Sequence, residues 1–121
     1  MLFRSLGALD VSYYRDDYDR RGLHRDPQSS DIPFDVDGRD IILVDDVLFT
    51  GRTIRAALIE IFDYGRPASV RLATLMDRGG RQLPIAAQFT GGVIELPPGQ
   101  SIALERDAKK RLAFTLKDRE P

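Results

Sequence analysis

The stretch that decides the fold is residues 41–53, which read Ile-Ile-Leu-Val-Asp-Asp-Val-Leu-Phe-Thr-Gly-Arg-Thr. Its first four residues are apolar and do not alternate with polar ones, a pattern typical of a parallel strand covered on both faces. Asp45 and Asp46 follow directly, and a short loop containing Gly51 then leads into a helical pattern. Because ligands of open α/β sheets bind beyond the carboxyl ends of the strands, this stretch predicts a ligand site.

The residue types predict which ligand this site takes. Asp45 and Asp46 can accept hydrogen bonds from a vicinal diol, or hold a hydrated Mg²⁺ that also contacts phosphates. Thr50 and Thr53 add hydroxyl groups, and Gly51 allows close approach of the backbone because it has no Cβ. A helix start offers N–H groups and a partial positive charge to a phosphate. We therefore expect a phosphorylated, polyhydroxylated ligand.

Residues 41–53 resemble the phosphoribosyl-pyrophosphate (PRPP) signature of type I phosphoribosyltransferases. In detail they are similar to the branch called pyrimidine-operon regulator and uracil phosphoribosyltransferase (PyrR). The likeness extends over roughly residues 7 to 95, which makes it more specific than one short motif. Its further segments are residues 9–11, 14–17, 32–36, 65–67, 77–79 and 83–85.

The resemblance implies that uracil N1 attacks C1′ of PRPP and gives UMP and pyrophosphate, with Mg²⁺ bound alongside PRPP. It assigns Asp45 and Asp46 to the ribose hydroxyls, and residues 50–53 to the 5′-phosphate. The implied PRPP-binding residues are Asp45, Asp46, Thr50, Gly51, Arg52 and Thr53, and those of the base and pyrophosphate region are Met76, Asp77 and Arg78. Purine-using relatives carry an Asp where this chain has Phe49, so the resemblance favours a pyrimidine.

From the residues alone, other interpretations stay open. An apolar run ending in two acids also describes a Walker B strand, but the chain contains no G-x-x-x-x-G-K-[ST] loop to accompany it. Asp45 and Asp46 can also be the solvated end of a buried strand, paired with nearby arginines. A structural salt bridge between Asp77 and Arg78 competes with their assignment to the base region.

Composition excludes several classes of protein. The 121 residues suit one domain, and the absence of cysteine excludes disulfides and cysteine-based sites. The single histidine, His24, excludes histidine clusters as metal sites. A net charge of −1 gives no overall basic excess of the kind typical of nucleic-acid binding. With no long apolar run and no signal-peptide pattern, we expect a cytoplasmic protein that does not contact a membrane.

A flexible hood is expected near the N-terminus. Alternating residues 9–13 and 32–36 predict two strands of an antiparallel hairpin, about residues 9–37, joined by a long polar loop rich in Asp and Arg. In the family this hairpin closes over PRPP. The resemblance gives Arg15 at its base as a candidate contact to pyrophosphate, with Arg20, Arg21 and Arg25 nearer its tip.

The remaining chain predicts an α/β core and a C-terminal hairpin within one phosphoribosyltransferase-like domain, residues 1–121. Apolar residues at helical spacing follow the central loop, and Gly65 and Pro67 end that helix. Residues 70–76 predict the next strand, parallel to the first, and residues 91–95 another, giving a core of about 41–95. Residues 102–106 and 111–116 predict the hairpin, about 100–117. The helix-spaced residues are Ile54, Ala57, Leu58, Ile61 and Phe62.

The chain also departs from the family in two ways. Full-length members are longer, and the part expected before Leu9 would carry the first core strand and an Arg-containing loop that grips pyrophosphate. RNA-binding members read Asp-Arg-Gly-His-Arg where this chain has Gly80 before Arg81. Three hypotheses stay open: a uracil phosphoribosyltransferase, a UMP-dependent regulator that binds pyrimidine-operon mRNA, and a non-catalytic nucleotide-binding remnant. Relatives form oligomers, so a homo-oligomer is expected.

Overall fold

A computed structural model describes residues 6–9 and 31–118 of the chain. The described part contains one helix and five strands, which form a parallel sheet and a separate hairpin. In chain order these elements are β1 (Asp40–Leu48), α1 (Arg52–Tyr64), β2 (Ser69–Asp77), β3 (Phe89–Val93), β4 (Gln100–Arg106) and β5 (Leu112–Asp118).

The parallel sheet brings its strand ends together at one edge. Its strand order is β1-β2-β3, and α1 is the crossover that returns the chain from β1 to β2. The β1–β2 register runs from Asp40 opposite Ser69 to Leu48 opposite Asp77. Since β3 pairs with β2 in parallel as well, all three carboxyl ends lie at the same edge. That edge is where the sequence predicts the ligand site.

Helix α1 packs on one face of this sheet and supplies most of the core. Ile54 of α1 forms a buried cluster with Leu48 of β1 and Leu72 of β2. Ile54, Ala57 and Ile61 of α1 are buried as the helical spacing predicts, and Ile61 is 3% exposed. The prediction is wrong for Phe62, which is 56% exposed, whereas Ala56 is buried. The helix ends before Gly65, as the Gly–Pro signal predicts.

The prediction that β1 is covered on both faces is wrong for the part of the chain that the structure describes. Leu43 packs against the core beneath α1, but Ile42 and Val44, which point the other way, are 54% and 72% exposed. The reason is that α1 is the one helix among residues 6–9 and 31–118, and it covers a single face. The other large apolar side chains of the sheet that are exposed are Leu75, Phe89 and Val93.

Two strands differ in extent from their predicted bounds. β1 does not end at Val44 but continues through both carboxylates to Leu48. β3 lies two residues earlier than predicted, at Phe89–Val93 instead of 91–95. It includes Gly91, where a Cβ would come within 2.6 Å of the carbonyl oxygen of Leu75. The close approach of β2 explains why glycine stands inside this strand.

The predicted hood lies mostly outside the described residues. At its base, Ala8 and Asp31 exchange two backbone hydrogen bonds of 2.7 Å in an antiparallel bridge. Residues 32–36, predicted as a strand, do not form one. Pro33 within them has no N–H to donate to a ladder. Arg15, Arg20, Arg21 and Arg25 belong to residues 10–30, outside the described part, as does His24.

At the other end of the chain, β4 and β5 pair in an antiparallel hairpin whose turn lies at residues 107–111. The Asp107 carboxylate accepts the backbone N–H groups of Lys109 and Arg111 and also contacts the Arg111 guanidinium. The basic side chains of the hairpin are exposed to solvent. Among the described residues, no helix is both long enough and apolar enough to cross a membrane.

Candidate functional site

Two loops meet at the carboxyl edge of the sheet. The β1–α1 loop is residues 49–51, and the β2–β3 loop is residues 78–88. Leu48 and Asp77 are register partners at the ends of β1 and β2. The N–H of Arg78 then donates to the carbonyl of Leu48 over 3.1 Å. The parallel ladder therefore continues into the loops and holds them side by side.

The acid pair lies on β1, just before this edge. The N–H of Asp46 donates to Asp45 Oδ1 over 2.9 Å, and the N–H of Val47 donates to Asp46 Oδ1 over 2.7 Å. Each carboxylate is thus held against the next residue of the chain, and both side chains are partly buried. The Thr74 hydroxyl of β2 donates to the carbonyl of Asp46 over 3.2 Å, which fixes the strand at this point.

The carbonyl groups of Phe49 and Thr50, in the β1–α1 loop, point toward the β2–β3 loop. Arg81 Nη1 donates to the carbonyl of Phe49 over 2.9 Å. The N–H groups of Gln82 and Leu83 donate to the carbonyl of Thr50 over 2.9 and 3.1 Å. The peptide bonds of the described residues are trans, so each N–H points opposite to the carbonyl of its own peptide. The N–H groups of Thr50 and Gly51 therefore point away from the β2–β3 loop.

Gly51 completes the turn into α1 with a left-handed backbone, φ +98°. A Cβ at this position would come within 3.0 Å of Ile85 and would also be strained, since L residues rarely adopt that φ. The Thr50 hydroxyl accepts the N–H of Arg52 over 3.2 Å. The side chain of Arg52 is exposed, and Thr53 lies half-buried in the first turn of the helix. No acidic residue stands in that turn to oppose an anion.

The segment expected to border the base contains an ion pair, but it is not the Asp77–Arg78 salt bridge that the sequence offered as the alternative. Asp77 does not pair with Arg78: its Oδ2 lies 2.6 Å from Arg81 Nη2. Asp77 Oδ1 accepts the N–H of Gly79 over 2.9 Å. The hydrogen bond from Arg81, together with that from Gly79, holds the pKa of Asp77 below its ordinary value despite partial burial. Met76 is half-buried, in register between Val47 and Gly92.

Arg78 instead lies over the ring of Phe49, with Cζ 3.7 Å from the ring centroid. Its Nη2 donates to the carbonyl of Gln100, at the start of β4, over 3.1 Å. One side chain therefore links the β1–α1 loop to the C-terminal hairpin. A cation so placed is attracted by the quadrupole of the ring.

The structure thus brings the expected residues of β1, the β1–α1 loop and the end of β2 to one edge of the sheet. Residues 8–102 match the family model described as the phosphoribosyl transferase domain. The bifunctional protein PyrR of Ralstonia nicotianae is 52% identical over 121 residues, which cover 98% of this chain and 68% of the relative. The chain belongs to the PyrR family of phosphoribosyltransferases.

Two other PyrR proteins are also similar to this chain. That of Nitrosococcus oceani is 59% identical over 99 residues, covering 82% of this chain and 56% of the relative. That of Pseudomonas savastanoi pv. phaseolicola is 49% identical over 113 residues, covering 93% and 65%. The chain thus spans between 56% and 68% of the length of these three PyrR proteins.

Solved structures of phosphoribosyltransferases are also similar. The hypoxanthine phosphoribosyltransferase of Trypanosoma cruzi in complex with the product IMP matches with a TM-score of 0.49 and 27% identity, over 55% of this chain and 36% of that one. A hypoxanthine-guanine phosphoribosyltransferase of Bacillus anthracis matches with a TM-score of 0.49 and 25% identity, over 55% and 40%. The PyrR-family chain has the α/β, type I phosphoribosyltransferase fold with a parallel sheet.

Sequence reasoning missed one organising residue of this PyrR-family site. Arg81 donates to the carbonyls of Phe49 and Ile85 and to the carboxylate of Asp77. No local pattern indicates the ion pair, because a four-residue spacing brings side chains together on a helix, whereas Asp77 ends β2 and Arg81 lies in the loop after it. The contacts of Arg81 with two backbone carbonyls depend on how the two loops meet, which no local pattern contains.

Proposed function

We propose that this edge of the sheet binds PRPP and that the chain carries the site of a uracil phosphoribosyltransferase. The observation that carries the proposal is the arrangement of the β1–α1 loop, whose Thr50 and Gly51 amides point to one side at the start of α1. Preorganised amides at a helix start suit a phosphate. Asp45 and Asp46, shortly before this loop on β1, suit the hydroxyls of a ribose attached to that phosphate.

In the proposed complex the 5′-phosphate lies against the amides of residues 50–53, with the hydroxyls of Thr50 and Thr53 and the charge of Arg52 beside it. Asp45 and Asp46 accept hydrogen bonds from the 2′- and 3′-hydroxyls and so orient C1′. Met76, Asp77 and Arg78, at the end of the neighbouring strand, border the base and pyrophosphate. Arg15 of the hood is proposed as a contact to pyrophosphate.

The proposed reaction transfers the 5-phosphoribosyl group of PRPP from pyrophosphate, the leaving group, to uracil, the nucleophile. A bond forms between uracil N1 and C1′ as the bond from C1′ to the pyrophosphate oxygen breaks, and the N1 proton is lost. Pyrophosphate leaves with the electron pair of the broken bond, and UMP is the second product. The protein contributes by holding the reactants in line and by stabilising developing charge, without a covalent intermediate.

Mg²⁺ is proposed to enter with PRPP instead of occupying a cage built by the protein. Among residues 6–9 and 31–118, no group of three or more His, Cys, Asp or Glu side chains is placed to hold a metal. Asp45 and Asp46 would hold such an ion through its water ligands, while PRPP oxygens would bind it directly. When bound, Mg²⁺ supplies positive charge beside the pyrophosphate.

Phe49 supports a pyrimidine over a purine as the base. Its ring lies beneath the guanidinium of Arg78, and it has no group that can exchange a proton with a purine nitrogen. We therefore expect uracil to be the better acceptor of the ribosyl group, and hypoxanthine or guanine to give little product.

Calorimetric titration of PRPP with Mg²⁺ tests the proposed site, and release of pyrophosphate from uracil plus PRPP tests the activity. Asp45→Asn and Asp46→Asn each remove a charge and should weaken PRPP binding roughly tenfold or more. Asp63→Asn is a matched control, because this exposed residue lies near the opposite end of α1. Equal affinity of wild type, Asp45→Asn and Asp46→Asn would remove the ribose assignment, and absence of binding by the wild type would remove the whole proposal.

A second candidate function is binding of pyrimidine-operon mRNA under control of UMP. Its support is the resemblance to PyrR proteins that are named bifunctional and an exposed basic hairpin. Apart from Arg111, which pairs with Asp107, the exposed basic residues are Arg106, Lys109, Lys110 and Lys117. A gel shift with pyrimidine-operon leader RNA, with and without UMP, tests this function. No shift at low salt, where phosphate contacts are strongest, removes it and leaves the enzyme or a non-catalytic remnant that binds nucleotide.

A further inference from the structure

Arg81 joins three parts of the site through one guanidinium. Its Nε donates to the carbonyl of Ile85 over 2.8 Å, its Nη1 to the carbonyl of Phe49 over 2.9 Å, and its Nη2 to Asp77 over 2.6 Å. The side chain is 25% exposed, so these bonds form largely away from solvent. A planar fork of donors can hold three acceptors in fixed directions, which a flexible ammonium cannot.

The hydrogen bond from Arg81 to the carbonyl of Phe49 also determines where the N–H of Thr50 points. The carbonyl of Phe49 and the N–H of Thr50 belong to one planar trans peptide, so fixing the carbonyl also fixes the direction of the N–H. The carbonyl of Thr50 is fixed in the same way by the N–H groups of Gln82 and Leu83, which directly follow Arg81. Arg81 and the two residues after it thereby orient two successive amides of the β1–α1 loop.

We propose that Arg81 is a positioning residue for the phosphate: it holds the Thr50 and Gly51 amides in the direction that receives the 5′-phosphate, without touching the ligand itself. The proposal rests on the proposed function and adds to it the residue that preorganises the phosphate site. Asp77 has a supporting part, because it anchors the outer nitrogen of the guanidinium. Preorganised donors stabilise an anion without paying for reorientation when it binds.

A purely structural ion pair is the competing explanation, and the chain contains one for comparison. Arg111 and Asp107 are also four residues apart and lie 3.2 Å from each other. That pair closes the turn of the β4–β5 hairpin. Arg111→Gln is therefore a control that removes an Arg–Asp pair outside the two loops, at side chains that are 70% and 38% exposed against 25% and 20% for Arg81 and Asp77.

The experiment compares the wild-type chain, Arg81→Gln, Arg81→Lys and Arg111→Gln. Affinities for UMP and uridine are measured by NMR titration, because the two ligands differ only in the 5′-phosphate. We expect Arg81→Gln to weaken UMP binding roughly tenfold and to leave uridine binding within about twofold. Arg81→Lys, with charge but no fork, should also lose most of the preference for UMP. Arg111→Gln should match the wild type with both ligands.

A ligand-free measurement accompanies the titration. Amide exchange at Gln82 and Leu83, which donate to Thr50, should speed up in Arg81→Gln, and the amide shifts of Thr50 and Gly51 should change. If these signals stay as in the wild type, or if UMP and uridine weaken by the same factor, the positioning role is overturned while the proposed function stands. A wild-type chain that binds UMP no better than uridine overturns the phosphate site itself. Arg81→Lys keeps the test usable if Arg81→Gln does not fold.

Discussion

Arg78 lies over the ring of Phe49, with its guanidinium carbon 3.7 Å from the centroid of the ring. The contact joins the first residue of the β2–β3 loop to the first residue of the β1–α1 loop, so it stabilises the meeting of the two loops. The same guanidinium donates to the carbonyl of Gln100. A change at Phe49 should therefore be felt in the stability of the fold as well as in the site.

We predict that Phe49→Leu lowers the free energy of unfolding by about 1–2 kcal/mol, since it removes the aromatic face that attracts Arg78. Phe49→Tyr keeps that face and should cost less than about 0.5 kcal/mol. Urea unfolding followed by circular dichroism measures both. Phe62→Leu, at an exposed position on α1, is the control. An unchanged urea midpoint for Phe49→Leu would show that the stacking contributes nothing.

Two adjacent glycines allow a test of how closely Phe49 packs. Gly79 and Gly80 both have left-handed backbones, φ +72° and +77°. A Cβ on Gly79 meets nothing within 4 Å, whereas one on Gly80 would come within 2.6 Å of Phe49 Cε1. Gly79→Ala should therefore cost about 1–2 kcal/mol from backbone strain alone. Gly80→Ala should cost about 1–3 kcal/mol more, because the ring must also move.

The free energy of unfolding of the two alanine variants checks this prediction, and the double variant Gly80→Ala with Phe49→Ala identifies the cause. Removing the ring should make the cost of Gly80→Ala resemble that of Gly79→Ala. Equal costs for the two single variants would mean that the ring of Phe49 does not press on Gly80. The same contact explains why glycine suits residue 80 in this chain, where RNA-binding family members have the histidine of Asp-Arg-Gly-His-Arg. A histidine here would require the ring of Phe49 to move.

Local patterns in the sequence predicted the helix and the core strands well. The apolar spacing of α1 is confirmed at Ile54, Ala57 and Ile61, which are buried, but not at Phe62, which is exposed; the end of the helix is confirmed at Gly65. These predictions were correct because amphipathic periodicity and a Gly–Pro helix end depend only on residues within one helix. The end of β1 was placed too early, since a carboxylate can stand inside a strand as well as after it.

Relations between segments were harder to predict. The strand expected at residues 32–36 has a suitable alternating pattern, yet pairing in this region is limited to the bridge between Ala8 and Asp31 among the described residues. Alternation predicts which side chains share a face but not whether a partner strand is present. In the candidate site, the missing information was of the same kind: which carbonyls Arg81 reaches follows from the meeting of two loops.

The exposed sheet face predicts self-association of this chain. Ile42, Val44 and Leu75 are among its large apolar side chains, and no described helix covers them. We expect the sedimentation coefficient to rise with protein concentration and Val44→Lys to weaken that rise, because it places a charge in the apolar face. Ile59→Lys, at an exposed position on α1, should behave as the wild type. A sedimentation coefficient that stays constant with concentration would contradict this expectation.

The ion pair of Asp77 and Arg81 predicts a pH dependence of stability. The Arg81 hydrogen bond, followed by that of the Gly79 N–H, lowers the pKa of Asp77 in the folded chain from its ordinary 3.8. The unfolded chain therefore binds the proton more readily than the folded one, and the contribution of Asp77 is fully present above pH 3.8. It is lost as the pH falls below that value toward the lowered pKa of the folded state.

Asp77→Asn should thus lower the free energy of unfolding by about 1–3 kcal/mol at neutral pH, and the difference from wild type should shrink as the pH falls below 3.8. Urea unfolding at a series of pH values measures the difference. Glu105→Gln is the comparison: Lys117 lowers the pKa of that carboxyl too, but the pair is exposed and solvent screens it, so its effect should be small. A difference between wild type and Asp77→Asn that is independent of pH would mean that the contribution of Asp77 does not come from its charge.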